Sequence, residues 1–193
     1  MTQSSEVTAT VRTVLQAFQD GYTHRDTATL DTFMQLFTSD AQLEVIGTSA
    51  VSTTADEWCI SPPAVHALIE ADWQFWGNLV LDVTDARIYV QDAVAWLATS
   101  GTVTQTIPLA QTYRNITAYL TRVMEQQAAL DVERELLLVI LGAASSLANA
   151  RDGDRYVWPI RFTAVLVQQQ AGWRFHQIHF SYPTIHDPDV RLT

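Results

Sequence analysis

Apolar residues recur at helical spacing along the first part of the chain. They fall on one face across residues 7–22, and a shorter apolar run at 30–37 follows Asp26, which can act as an N-cap. A third helix is predicted to begin at Ser61-Pro62, because serine favours the N-cap and proline the first helical position. The pattern therefore predicts three N-terminal helices.

Alternation of apolar and polar residues replaces the helical spacing further along. Residues 41–46 predict a short strand, and the stretches 79–90 and 93–107 predict a hairpin. A second hairpin is predicted from 155–168 and 173–182, joined by a turn that contains a glycine. Helices followed by an antiparallel sheet are typical of an α+β fold, with the helices on one face of the sheet.

Two segments interrupt this order. Residues 47–60 are rich in Ser, Thr and Ala without periodicity and predict a loop. Residues 110–150 return to helical spacing, and we interpret them as a helical hairpin inserted between strands. We expect residues 1–193 to form a single domain that contains this insertion, because the length favours one domain.

The charge balance narrows the choice of partners. Twenty-one acidic residues against 11 basic ones give a formal net charge of -10, which repels phosphate backbones and anionic lipid. We therefore expect neither nucleic acid nor a membrane as a partner. The single Cys59 fits a reducing compartment, and the N-terminus lacks the apolar region of a signal peptide, so a cytoplasmic location is expected.

Two stretches resemble the nuclear transport factor 2-like superfamily in its SnoaL-like branch. They are LDTFMQLFTSDAQLE at 30–44 and RFTAVLVQQQAGWRFHQIHFS at 161–181, within a resemblance that covers 6–107 and 155–182. The resemblance implies a cone-shaped curved antiparallel sheet packed on three helices, with a pocket in the cone interior. The 110–150 insertion is not part of the common core.

The superfamily includes ketosteroid isomerases, polyketide cyclases, dehydratases and members without chemistry, so the fold alone does not define the function. Phe18 and Val45 stand where the resemblance implies the oxyanion-donating tyrosine and the general-base aspartate of the isomerases. Neither side chain can exchange a proton, and ketosteroid isomerisation is therefore disfavoured.

Alternation along the last two strands, combined with the resemblance, predicts one polar set on the concave side of the sheet. It contains Arg161, Thr163, Gln177, His179 and Ser181. Trp73 and Trp96 would complete an apolar wall, and Tyr22 would lie at the pocket mouth or in solvent.

Several of these residues have a structural alternative. Arg161 suits a carboxylate ligand, but it could equally pair with Asp40 or Glu44. His179 could be an acid/base or a hydrogen-bonded structural histidine. The tryptophans could be core residues rather than a ligand platform.

Three functions remain open at this point. The first is binding of a small organic molecule, anionic if Arg161 contacts it. The second is a cofactor-independent isomerase, cyclase or dehydratase that uses His179 as the acid/base. The third is an interaction module that forms a homodimer through the outer face of the sheet. No metal site is predicted, because His176 and His179 would point to opposite faces of a strand.

Overall fold

The computed structural model describes residues 2–48, 50, 57–108 and 153–183, together with isolated positions between 110 and 144. The chain divides into two compact units. The larger unit comprises Met1–Val103 and Trp158–Thr193, and the smaller unit is Thr104–Val157. The positions described between 110 and 144 are helical. Most of the predicted hairpin lies outside the described residues, so the insertion and the single-domain organisation stay predictions.

Three helices precede or flank the first strands, and all of them belong to the larger unit. They are α1 (Thr2–His24), α2 (Leu30–Phe33) and α3 (Pro62–Phe75). Single 3₁₀ turns flank α2, and Asp26 caps the first of them by accepting a hydrogen bond from Ala28 N–H at 3.0 Å. Ser61 does precede α3, but its side chain makes no capping hydrogen bond, and its N–H instead donates to Leu43 O at 2.8 Å.

In the described part of the chain, seven strands form one sheet in the order β2-β1-β7-β6-β5-β3, with β4 also paired to β5. They are β1 (Glu44–Ile46), β2 (Trp58–Ile60), β3 (Asn78–Leu81), β4 (Arg87–Gln91), β5 (Val94–Thr106), β6 (Arg155–Gln169) and β7 (Gly172–Ser181). The predicted closing hairpin is confirmed, and Gly172 adopts the positive φ of 112° that its turn requires.

The sheet differs from the prediction in three places. The segment predicted as one strand at 79–90 is two strands, β3 and β4, because residues 82–86 leave the sheet. The predicted loop at 47–60 contains β2, which pairs with β1. β1 pairs with β7 in parallel, whereas β1 with β2, β4 with β5, and β6 with β7 are antiparallel.

Two arginines attach α1 to neighbouring segments, one within the helix and one just after its C-terminal end. The Arg12 guanidinium donates to the carbonyls of the β3–β4 connection, among them Thr84 O at 2.7 Å. Arg25, just after the helix, donates to Tyr22 O at 2.7 Å, to Trp76 O at 2.6 Å and to Gly77 O. A cation is favourable beside the unpaired carbonyls at helix ends, so Arg25 ties the end of α1 to the end of α3.

Aromatic rings fill the space between the helices and the inner face of the sheet. Phe18 lies at the centre, with ring centroids 4.9 Å from Tyr22, 5.6 Å from Phe33, and 5.3 Å from both Phe162 and Phe175. Each of these side chains is at least 93% buried, Phe33 being the least so with 7% exposed. The interior around Phe18 is therefore a packed aromatic core rather than a hollow.

A β-bulge at His176 changes which side chains of β7 face this core. Val165 pairs with Gln177 and the next residue, Leu166, pairs with Phe175, so His176 is the additional residue. The segment after α2 contacts the bulge, because Thr38 N–H donates to Phe175 O at 2.9 Å and Thr38 Oγ1 lies 3.3 Å from His176 Nδ1. Beyond the bulge, the inward-facing positions are displaced by one residue.

The predicted fold class is confirmed. The larger unit is an α+β structure in which a curved, unclosed sheet packs on three helices, and its buried residues form one hydrophobic core.

Candidate functional site

The predicted concave set lies on the outer face of the sheet. Arg161, Thr163 and His179 are exposed, and Gln177 and Ser181 are half-buried on the same face. Arg161 pairs with Ser181 and Thr163 pairs with His179. These five residues share the face opposite the aromatic core, and not the concave side on which the resemblance places them.

Two physical causes explain the error. In β6 the alternate residues Ile160, Phe162, Ala164 and Leu166 are the apolar set and occupy the core. In β7 the bulge displaces the alternation, so that Trp173 and Phe175 face inward before it and Ile178 and Phe180 after it.

The other predicted lining residues divide between the two faces. Trp96 is 44% exposed and lies on the outer face with Arg161, so it is not part of an interior wall. Trp73 and Tyr22 are interior residues, with 6% and 1% of their surface exposed. Trp73 packs against Phe33 at a ring-centroid distance of 5.0 Å, which agrees with its structural alternative as a core residue.

Arg161 does not pair with Asp40 or Glu44, which was its predicted structural alternative. Glu44 accepts hydrogen bonds from Trp58 Nε1 at 2.7 Å and from the Gln177 amide. Among the described residues, no carboxylate forms an ion pair with Arg161. The Arg161 guanidinium therefore remains available to a partner outside the chain.

Two acidic groups, the Tyr22 hydroxyl and the Asp72 carboxyl group, form a hydrogen-bonded pair in the interior. The sequence predicted Tyr22 at the pocket mouth or in solvent and did not indicate Asp72. The Tyr22 hydroxyl, on α1, donates to Asp72 Oδ2, on α3, at 2.8 Å. Asp72 borders a recess with Glu57, Trp76, Phe180 and three further residues, Gly47, Thr48 and Leu68. We call this the inner recess.

Burial sets the protonation of this pair. Desolvation is the largest cause that raises the pKa of Asp72 to about 6, and the nearby Glu57 adds to it. The hydrogen bond from Tyr22 and the positive charge of Arg25 act in the opposite direction. Burial, reinforced by Asp72, also raises the pKa of Tyr22 well above its ordinary value. Tyr22 therefore keeps its proton near neutral pH, whereas Asp72 gains or loses its proton near pH 6.

The inner recess is narrow. Its volume is about 10 Å³, room for roughly one water molecule. Glu57 closes over Gly47, and a Cβ placed on that glycine would lie 2.3 Å from Glu57 Oε2. Residues 49 and 51–56, between Thr48 and Glu57, lie outside the described residues.

Aromatic rings pack around the hydrogen-bonded Tyr22 and Asp72. Trp76 meets Tyr22 nearly edge-on at 6.1 Å and meets Phe180 nearly edge-on at 5.5 Å. Rings in this arrangement keep water away from the carboxyl group and supply an apolar wall. The recess thus combines two carboxyl groups with an aromatic wall.

Asp72 was not among the residues predicted for the site. A signal was present in the sequence, since Leu68, Ile69, Asp72, Trp73 and Trp76 fall at helical spacing on one stripe. A single acidic residue inside an apolar stripe is buried together with it and needs a partner. Here the partner is the Tyr22 hydroxyl.

The outer face of the sheet carries two grooves with volumes of about 350 and 380 Å³. They share Arg87, Ala98 and Thr163, so they form one continuous surface, which we call the outer groove. Tyr89 and Trp96 line one end, and their rings are stacked at 5.9 Å and 16°. Arg161 lines the other end together with Asp82, Asp85 and Thr99.

No group of three or more His, Cys, Asp or Glu side chains in the described part of the chain is arranged to hold a metal ion. No helix of that part is both long and apolar enough to cross a membrane. The predicted absence of a cofactor and the cytoplasmic location stay predictions.

Known structures resemble this chain at low identity. A protein of the nuclear transport factor 2-like superfamily from Salmonella enterica serovar Typhimurium is 12% identical, with 97% of this chain and 99% of that chain covered and a TM-score of 0.60. A proposed dehydratase of the same family from Streptomyces avermitilis is 11% identical, with 93% and 98% covered and a TM-score of 0.59.

A third structure, a nuclear transport factor 2-like protein with a cystatin-like fold from Novosphingobium aromaticivorans, is 11% identical, with 93% of this chain and 84% of that chain covered and a TM-score of 0.54. No protein-family model matches the sequence, and no curated protein does. The SnoaL-like branch therefore stays a prediction. The topology of the larger unit and these likenesses together establish that the chain has the nuclear transport factor 2-like fold.

Proposed function

We propose that the larger unit binds a small organic molecule at the inner recess, with Asp72 as the main polar contact. The observation that carries this proposal is the hydrogen bond between Tyr22 and Asp72 at the wall of an apolar recess. A buried carboxyl group is unfavourable unless it is paired, and Tyr22 engages only one of the two Asp72 oxygens. The other oxygen can accept a hydrogen bond from a ligand.

The lining favours a ligand that donates hydrogen bonds. Glu57 and Asp72 both border the recess, and the nearby Arg25 guanidinium is occupied by three backbone carbonyls. A hydroxyl or protonated amine on an aromatic or aliphatic ring fits this chemistry, with the ring against Trp76 and Phe180. An anionic ligand, which the sequence suggested through Arg161, does not fit the inner recess.

The size of the recess sets a condition on the proposal. A ligand larger than water enters only if a lining side chain moves outward. Glu57 and Trp76 are half-buried, whereas Phe180 is 3% exposed, so the first two are the side chains that would move. Small ligands with one donor group should therefore bind before larger ones.

Fragment binding followed by NMR tests this proposal. Phenol, benzylamine and benzoate would be added to ¹⁵N-labelled protein while the Trp76 indole signal is followed. Phenol and benzylamine should shift this signal, benzoate should not, and Asp72→Asn should weaken binding by about tenfold, the cost of one hydrogen bond to a charged group. Asp85→Asn, an exposed acid on the outer face, is the matched control.

The proposal would be wrong if none of the three fragments shifted the Trp76 signal, or if Asp72→Asn and Asp85→Asn bound them equally well. Preferential binding of benzoate would contradict the charge argument.

A second candidate function is proton transfer without a cofactor, in the class of isomerases, cyclases and dehydratases. The observation that favours it is the pKa of Asp72 at about 6, close to the value at which a carboxyl group can both take and release protons near neutral pH. The likeness to a proposed dehydratase is compatible with this chemistry. Asp72 replaces His179 in the role of acid/base, because His179 is on the opposite face of the sheet from the recess.

Deuterium exchange into 2-tetralone, a ketone with acidic C–H bonds, tests this second function. In D₂O the protein should accelerate exchange, and the rate should rise with pH through about 6 as Asp72 loses its proton. Asp72→Asn should return the rate to that of buffer, and His179→Ala should leave it unchanged. Exchange that is retained in Asp72→Asn would exclude Asp72 as the base.

A further inference from the structure

The outer groove is a feature that the proposed function does not use. Its two parts have volumes of about 350 and 380 Å³, within the range of sites for small organic molecules. All of its lining residues belong to the larger unit. It lies on the face of the sheet opposite the aromatic core, and so it is separate from the inner recess.

Two positively charged guanidinium groups line the outer groove. Arg87 and Arg161 both line it, and among the described residues neither has an ion-pair or hydrogen-bond partner. This is informative in a chain of net charge -10, in which acidic partners are abundant. A planar guanidinium fork binds a carboxylate through two parallel hydrogen bonds. Thr163, which lines both parts of the groove, adds a hydroxyl donor.

An exposed aromatic pair occupies the other end. Tyr89 and Trp96 are directly opposite each other on β4 and β5, and they are 54% and 44% exposed. Their rings are nearly parallel at 16°. Exposed aromatic surface of this kind favours contact with another flat apolar group. Because Arg87 lines the same part of the groove as this pair, a flat ring and a negative group can be held together there.

The acidic residues of the groove define the orientation of a ligand. Asp82 and Asp85 line only the part that contains Arg161, and Asp82 Oδ1 accepts a hydrogen bond from Asp85 N–H at 3.2 Å. Arg87 and Thr163 line both parts of the groove, and Arg161 lines the same part as the two carboxylates. A negative group avoids these carboxylates best where the two parts meet. The ring must therefore extend toward Tyr89 and Trp96.

We propose that the outer groove is a second ligand site, which binds a planar aromatic carboxylate with its ring on Tyr89 and Trp96 and its carboxylate between Arg87 and Arg161. This site does not depend on the function proposed for the inner recess. It brings together, on the outer face, most of the residues that the sequence had indicated for an anionic ligand: Arg161, Thr163, Gln177 and Trp96.

Calorimetric titration with 2-naphthoate tests the site, with 2-naphthamide as the uncharged ligand of the same shape. Naphthoate should bind about tenfold or more tightly than the amide, because two charged hydrogen bonds distinguish them. The double variant Arg87→Gln/Arg161→Gln should abolish this preference, and Trp96→Ala should weaken both ligands. Arg174→Gln, on the same sheet but outside the groove, is the matched control, and Asp72→Asn should leave naphthoate binding unchanged.

Three results would overturn the proposal. One is equal affinity for naphthoate and naphthamide in the unmodified chain. Another is loss of binding in Arg174→Gln or in Asp72→Asn as large as in the double variant, which would place the ligand elsewhere. The third is a dimer in sedimentation experiments. Neither ligand would dissociate this dimer, and Trp96→Ala would convert it to monomer. That outcome would assign the face to a second copy of the chain, as the homodimer predicted from the sequence requires.

Discussion

The inner recess and the outer groove both include a residue of β7, but they present opposite chemistry. On β7, Phe180 borders the recess, while Gln177 borders the groove. The recess is enclosed, aromatic and acidic, and burial shifts the pKa of its Asp72 to about 6. The groove is open, and its two guanidiniums form no ion pair with any carboxylate among the described residues. A single sheet can thus support a proton-exchanging site on one face and an anion site on the other, because only one face is removed from water.

The comparison depends first on which residues of β7 face inward. Phe180→Ala should lower the free energy of unfolding by roughly 3–5 kcal/mol, since it removes a buried ring from the core. The adjacent His179→Ala should change it by less than about 0.5 kcal/mol, because that side chain is exposed. Chemical denaturation of both variants measures the difference. Similar losses for the two would mean that the faces are assigned wrongly.

The second prediction concerns the pH dependence that burial gives to Asp72. Its pKa is 3.8 ordinarily and about 6 in the fold, so the folded chain holds this proton more tightly than the unfolded chain. Stability should therefore fall as pH rises from about 4 to about 6, and it should be lower by roughly 3 kcal/mol above that window. Asp72→Asn cannot ionise, and its stability should lack this decline.

Urea denaturation at pH 4, 5, 6 and 7 would measure the effect, with Asp85→Asn as the control that retains the decline. If the unmodified chain and Asp72→Asn had parallel pH profiles, Asp72 would not be the buried acid described above.

The third and smallest prediction concerns the hydrogen bond within the pair. Tyr22→Phe removes the donor to Asp72, and the loss should cost roughly 1–3 kcal/mol at neutral pH. Because this hydrogen bond lowers the pKa of Asp72, that pKa should rise above about 6 in the variant, which a carboxyl ¹³C NMR titration would detect. Tyr89→Phe, at the exposed tyrosine of the outer groove, should change neither quantity. A lower pKa in Tyr22→Phe would contradict the assigned cause.

Much of the fold could be predicted from sequence because it depends on local patterns. The apolar stripe of α1, the proline at the start of α3 and the glycine of the β6–β7 turn all act within a few residues. The hairpin therefore turns within the predicted segment 169–172, where Gln169 and Gly172 form the last pair of the two strands.

The site was harder to predict because it depends on contacts between distant segments. Strict alternation along β7 fails at His176, where Thr38, 138 positions earlier in the chain, contacts the bulge. The apolar stripe of α3 indicates that Asp72 faces the interior, but its partner Tyr22 is 50 positions away. The sequence predicted Tyr22 at the pocket mouth or in solvent, whereas its side chain is 1% exposed.

The additional residue at His176 also affects how function can be transferred to this chain from distant relatives. A relative without that residue can be aligned with β7 only through a one-residue gap. If the gap is placed on the wrong side of His176, the alignment matches core positions of one chain with solvent-facing positions of the other. At identities of 11–12%, sequence similarity offers little to correct such an error. Equivalent residues in the last strand should therefore be matched by superposition of coordinates.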